Sequence, residues 1–308
     1  MLKRNNKEGV LTAIHLQRDR VDVARVARND ARPRVELCAS YQKREDDLRT
    51  LTELRKELRL DRHPALTVLS QGEYQLQLLD APNVPSAEVK AAARWRLKDF
   101  LDYPVDQATI DVLSVPSDPS APTKQRSIYA VAARNDTVAA YMNLFAQAKV
   151  PLAAIDIPEM AHRNLAALFE TERRALAFLT FGEERGLLTF SSGGELYVTR
   201  PVDAGYDQLA EVADEEQAQT FERIVLEVQR SLDHFDRHFS FVPLAKLVLL
   251  AVPAPLEAYL RANLYVTVES ARLESVLDLS AVPELEAPER QYKSYVALGA
   301  ALRREALP

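Results

Sequence analysis

The residues in this chain that could do chemistry are few and far apart. His234 and His238 stand four apart with Asp233 and Asp236 beside them, a spacing that can put two imidazoles on one helical face, where zinc would accept them. A third strong ligand is not evident, and both histidines project away from the apolar stripe of their segment. A solvated helical face is the plainer reading, and no metal is expected. Cys38 is the single cysteine; with no histidine or acid arranged near it in sequence it reads as a packed thiol, and no internal disulfide can form. Asp156 and Glu159 lie at a strand–helix junction and are expected to face a cleft between the two halves. A carboxylate there can polarise water, although Asp156 equally suits capping or orienting the helix that follows. The chain has no G-x-S-x-G elbow, no H-E-x-x-H pair, no Walker-type loop and no G-x-G-x-x-G. Its eight glycines in 308 residues compare with roughly 20 at average usage, too few for glycine-rich phosphate cradles.

The elements that must position these residues follow from periodicity. Val10–Leu16, Val21–Arg28 and Arg34–Tyr41 read as an antiparallel meander. A leucine stripe at 48, 51, 54 and 58 marks a helix over Glu45–Leu60, and Ala65–Ser70 is a short apolar strand. From Tyr74 the chain enters an inserted subdomain. It comprises a strand over Tyr74–Leu79, a helix from Pro85-Ser86 to about Leu101, and strands over Thr109–Val115 and Ser127–Ala133 around the loop Pro116–Pro122. A helix over Asp136–Ala148, a strand over Leu152–Ile157 and a helix from Pro158 to Glu170 close the first half; proline suits a helix's first turn. The second half opens on another meander, Leu176–Val198. A long helix from about Glu215 to Phe239, a buried strand Leu244–Val252, a helix Pro255–Asn263, a strand Tyr265–Val268 and a helix Tyr292–Arg304 complete it. The repetition is coarse: a meander followed by helices, twice.

Composition sets outer limits. Hydrophobic residues are 47% and charged residues 27% of the chain, with a formal charge of -6, ordinary for a globular protein and contrary to a basic nucleic-acid surface. No window approaches the roughly 18–20 apolar residues that span a bilayer, and the basic start lacks an apolar signal core. One cysteine fits a reducing compartment.

Several segments, in order and spacing, resemble the PilM class of type IV pilus assembly proteins, in particular those of the MSHA pilus. More distantly, they resemble the cytoplasmic part of the type II secretion protein GspL. They are Ala91–Trp95 through Leu101-Asp102-Tyr103-Pro104-Val105-Asp106, Tyr129–Arg134, Ile155-Asp156-Ile157, Arg230-Ser231-Leu232-Asp233 and Ala297–Arg303. The resemblance spans nearly the whole chain. It implies an α/β, actin-like fold of two lobes around a cleft. The first lobe would comprise 1–158 plus 291–308, with an inserted subdomain at about 73–150, and the second 159–290.

The resemblance also implies a cytoplasmic scaffold at the inner-membrane face. It would grip the cytoplasmic tail of a single-span partner of the PilN or MshJ type, with the assembly ATPase as a further partner and no nucleic acid. Three departures from ATP-binding relatives point to a degenerate ATPase with no cofactor expected. The first hairpin tip reads Leu16-Gln17-Arg18-Asp19 in place of a Gly/Asp-rich turn. The second, Thr180-Phe181-Gly182, lacks an aspartate for Mg²⁺, and Ala251-Val252-Pro253-Ala254 stands where a Gly-Gly pair is expected. The degenerate cleft would be lined by Leu16, Arg18, Phe181, Gly182, Glu183 and Val252. Arg18, Asp19 and Arg20 would either fill the vacated phosphate space with a salt bridge or form a solvated turn. An ATP- and Mg²⁺-responsive switch and an actin-like filament former are the alternatives. Trp95 falls about 150° from its helix's core stripe of Val89, Ala92, Ala93, Leu97, Phe100 and Leu101. It is therefore either a partner anchor or a residue covered by a neighbouring element. With Lys98, Asp99 and Tyr103 it makes the candidate partner surface.

Overall fold

Two five-stranded sheets of matching order carry the molecule, and a three-stranded sheet is added to the first. The structure, a computed structural model, describes residues 9–28, 32–121, 126–211 and 214–305. In the first sheet β1 (Val10–Leu16), β2 (Arg20–Ala27) and β3 (Arg34–Gln42) form the antiparallel meander. After α1 (Asp47–Leu58) and, later in the chain, α3 (Asn135–Ala148), β4 (Ala65–Val68) and β8 (Leu152–Asp156) add in parallel, giving the order β3-β2-β1-β4-β8. The second sheet repeats this plan. Its meander is β9 (Ala175–Phe181), β10 (Gly186–Ser192) and β11 (Glu195–Val202), and β12 (Leu244–Leu250) and β13 (Val268–Ser270) add in parallel. Parallel neighbours need crossovers, and here helices supply them. These are α5 (Tyr206–Glu211) and α6 (Asp214–His238) before β12, and α7 (Ala254–Asn263) after it; a short α8 (Leu273–Val276) follows β13.

The insertion between β4 and β8 holds β5 (Tyr74–Asp80), α2 (Val89–Leu97), β6 (Ala108–Ser114), β7 (Ser127–Arg134) and α3. The sheet is ordered β5-β7-β6 and packs on α2 over its own small core of Leu79, Ala93, Leu97, Ile110, Ile128 and Ala130. The expected helix to Leu101 stops at Leu97, because the amides of both Phe100 and Leu101 turn back onto the Leu97 carbonyl (2.9 and 3.1 Å). Beyond that tightened turn the 3.6-residue period no longer applies, and Phe100, expected in the core, is 51% exposed. The helix starting at Pro158, α4, likewise ends at Ala166 rather than Glu170, since Leu168 and Phe169 tighten to three-residue bonds. The strand expected over Tyr265–Val268 forms at Val268–Ser270.

One continuous core joins the lobes. Leu11, Ala24 and Val26 of the first sheet pack in the same apolar cluster as Phe178, Phe190 and Phe235 of the second, with α4 and α9 (Pro288–Ala301) between them. α9 packs on β1, β2 and β3 as well as on α4. At the crossing Gly299 meets the Ala161 carbonyl so closely that a Cβ there would lie 2.1 Å from the oxygen. A backbone link at the edge of β3 adds to this: Val35 N–H donates to Asp278 O, and Asp278 N–H donates to Pro33 O, both at 2.9 Å.

Replacing Gly299 by alanine should push α4 and α9 apart and cost about 1–3 kcal/mol, the usual range for overpacking. A urea unfolding midpoint that does not move would show that the crossing has slack.

Candidate functional site

The open side of the two lobes is a cleft of ≈ 1010 Å³. Its mouth is framed by the β1–β2 turn and the β9–β10 turn, its floor by the start of α4 and by α9, and one wall by β5 and α3 of the insertion. Hydrogen bonds within each turn close the tips, Gln17 N–H to Arg20 O at 2.9 Å and Gly182 N–H to Arg185 O at 2.8 Å.

The tips are joined by an ion pair. Arg20, only 6% exposed at its side chain, donates through Nη1 to Glu183 Oε1 across the cleft. Its Nε donates to the fully buried Asp22 Oδ1 at 3.0 Å, and Ser40 Oγ donates to that same oxygen at 2.6 Å. Of the tip cluster Arg18-Asp19-Arg20, therefore, only Arg20 bridges the tips, while Arg18 and Asp19 are exposed. Alternation along β2 explains the split, because Arg20 opens the strand and shares the Asp22 face.

Leu16, Arg18, Gly182 and Glu183 line the cleft as the sequence reading places them. Phe181 and Val252 do not. Every residue of β9 is buried, so no face of that strand is left to the cleft, and the Phe181 ring occupies the space a side chain at Gly186 would need. Val252 packs in the second-lobe core after a sharp turn at Ala251. That turn puts Ala251 at φ +54°, the left-handed region that favours glycine, although it carries a side chain.

The acids of the floor already have partners. Tyr74 OH donates to Glu159 Oε2 at 2.8 Å, and burial raises the Glu159 carboxyl above its ordinary range against the effect of that bond. Glu73 Oε2 accepts from Tyr141 OH at 2.7 Å and from Ser70 N–H at 2.6 Å. Asp156, expected to face the cleft, lies away from its lining. Its Oδ1 accepts from Ile157 N–H at 2.9 Å and its Oδ2 from Arg303 Nη1 at 2.7 Å, which orients the start of α4. Beneath the floor, His162 is fully buried with Nδ1 2.7 Å from Thr189 Oγ1 and Nε2 3.0 Å from Thr180 Oγ1; burial pushes it down to about 3. Above it His15, 3.0 Å from Gln17 Nε2, is lowered to about 4 by burial and by Arg20. The sequence reading missed both histidines and the Arg20–Glu183 and Tyr74–Glu159 pairs. The available signals were a histidine inside an otherwise apolar strand, VLTAIHL, and another in a short helix rich in small and apolar residues.

The candidate partner surface lies elsewhere. Trp95 is 73% exposed on α2, and Lys98 and Asp99 are exposed just past its end. Tyr103 is half-buried with the Arg134 guanidinium 4.1 Å from its ring centre. None of the four lines the cleft. His234 and His238 stack at 4.1 Å on the surface of α6, and no group of three or more potential metal ligands occurs among the described residues. Cys38 is buried, which pushes its thiol up to about 12.

No protein-family pattern matches the chain, and no curated protein sequence matches it. Comparison with solved structures is informative. A PilM–PilN type IV pilus biogenesis complex superposes with a TM-score of 0.74 at 20% identity, over 95% of this chain and 98% of that one. A Bacteroides thetaiotaomicron protein described as having an actin-like ATPase fold and unknown function gives 0.51 at 8% identity, over 91% and 96%. The fold is actin-like. The cytoplasmic domain of EpsL, an inner-membrane component of the Vibrio cholerae type II secretion system, gives 0.45 at 13% identity over 68% and 77%, too remote to bear on the fold or the site.

Two outcomes follow from the ion pair and the buried imidazole. Arg20→Ala leaves Asp22 buried without a counter-ion and should cost about 3–5 kcal/mol. Glu183→Gln, at a side chain 36% exposed, should cost about 1 kcal/mol or less while speeding amide exchange at 182–186. Equal costs would contradict the assignment. His162 binds its proton more weakly folded than unfolded. Its contribution is therefore complete above the unfolded value near 6.5 and is lost as pH falls towards about 3, at about 1.4 kcal/mol per pH unit. In urea melts from pH 7 to 4, His162→Gln should flatten that slope; an unchanged slope would rule out His162 as its source.

Proposed function

We propose that this actin-like protein is a scaffold of a type IV pilus assembly platform that does not hydrolyse ATP. It acts at the cytoplasmic face of the inner membrane and holds the cytoplasmic tail of a single-span partner of the PilN type. The observation that carries the reading is the match of nearly its whole length to a PilM–PilN complex. The Arg20–Glu183 pair supports it: a carboxylate and its counter-ion stand between the two hairpin tips, where an actin-like ATPase grips phosphate. The floor carboxylates, engaged by Tyr74, Tyr141 and Ser70, are poor candidates for Mg²⁺ ligands. No described helix is long and apolar enough to cross a membrane, so membrane attachment through a partner fits. The segments quoted from the sequence favour the MSHA branch, with this chain in the position of MshI and its partner in that of MshJ. The exposed Trp95 with Lys98, Asp99 and Tyr103 is the first surface to test for the tail.

A second reading, an ATP-responsive switch, draws on the size of the cleft and on the left-handed Ala251, a backbone held as a glycine would hold it. Calorimetry with Mg²⁺-ATP separates the two. The scaffold reading expects no saturable heat at millimolar nucleotide, and no thermal shift of the kind that about 2.7 kcal/mol of stabilisation at a hundredfold excess over Kd would produce. Saturable binding would establish the switch instead. In parallel, a synthetic PilN-type tail should bind the wild type and bind Trp95→Ala at least tenfold more weakly; no binding to the wild type would sink the scaffold.

A further inference from the structure

At the base of the molecule, opposite the cleft, a second recess of ≈ 400 Å³ opens where the far end of β2 meets the ends of α4 and α9. Gly9, Asn164, Leu168 and Leu302 form its walls, and Arg28 and Arg304 reach it from different elements. Among the described residues charge here is unbalanced. Of four neighbouring arginines, Arg163 pairs with Glu305 and Arg303 with Asp156 (2.7 Å), while Arg28 and Arg304 have no carboxylate partner among the described residues. Arg28 Nε is buried with no hydrogen-bond partner among the described residues, a costly state for a charged donor. Burial and the nearby Arg303 both disfavour its proton. The wall is already fixed: Asn164 donates through Nδ2 to Gly299 O at 3.0 Å and accepts at Oδ1 from Arg163 at 2.8 Å. We propose that the recess between Arg28 and Arg304 is a binding site for a phosphate ester. Two guanidinium forks match the oxygens of a phosphate, and an anion would supply a counter-charge that the described residues do not. The volume exceeds that of a bare phosphate ion and leaves room, against Leu168 and Leu302, for the group it is esterified to. The same chemistry is offered by a soluble phosphomonoester and by the headgroup of an anionic lipid.

The test uses the full chain, with glycerol phosphate as the soluble probe and phosphatidylcholine vesicles with or without phosphatidylglycerol as the lipid probe. The wild type should bind one of them saturably. Arg28→Gln and Arg304→Gln should each bind it at least tenfold more weakly, the loss expected when one charge-assisted contact goes. Arg237→Gln, on the exposed face of α6, should bind as the wild type does. Response to glycerol phosphate assigns a soluble ligand; response to phosphatidylglycerol vesicles alone assigns a lipid. Should Arg28→Gln fail to fold, Arg304→Gln decides, because Arg304 is exposed and carries no ion pair among the described residues. Absence of saturable binding to both probes, or undiminished binding by Arg304→Gln, overturns the proposal. Neither result depends on whether the cleft takes ATP.

Discussion

The contact on which the rest of the structure depends is the crossing of α4 and α9. Gly299 lets the two backbones approach until the Ala161 carbonyl sits where a side chain would otherwise be. That approach lets a single helix, α9, serve as a floor to both sheets. Its buried residues enter the shared core, while Tyr292 and Tyr295 line the cleft. A wider crossing would open the apolar seam between the lobes and move the cleft floor at once. The duplicated sheet plan thus becomes one body through one small residue.

Electrostatics then shapes what the body can hold. A site for a nucleotide's phosphates is made of free backbone donors, cations and an uncommitted carboxylate for the metal. Here the cation at the first tip is committed to Asp22 and Glu183, and the floor acids to tyrosines and a backbone amide. Each of these bonds satisfies a group that burial would otherwise leave costly. The cleft is consequently held together by ionisable groups that bond one another across it.

Much of the layout was legible because it rests on periodicity. The two meanders, the leucine stripe of α1 and the long amphipathic α6 all announce themselves by spacing, whereas the actin-like architecture was implied by the resemblance of ordered segments to PilM-class proteins. What escaped was decided by partners distant in sequence. Arg20 and Glu183 are 163 residues apart; the tip sequence suggested a salt bridge, but nothing local names the partner. Phe181 sits at a hairpin tip, where side chains usually meet solvent, yet its strand is covered on both faces. Phe100 left the core because two hydrogen bonds tightened a turn, an event invisible to a helical wheel.

Ala251 has a wider consequence. Its backbone takes a conformation costing an L-residue roughly 1–2 kcal/mol, in the turn directly after β12 of the second sheet. The path of the chain at that turn is thus set by the surrounding lobe, which holds it there against the residue's own preference. The torsion at 251 is therefore a property of the lobe as much as of the residue that occupies it.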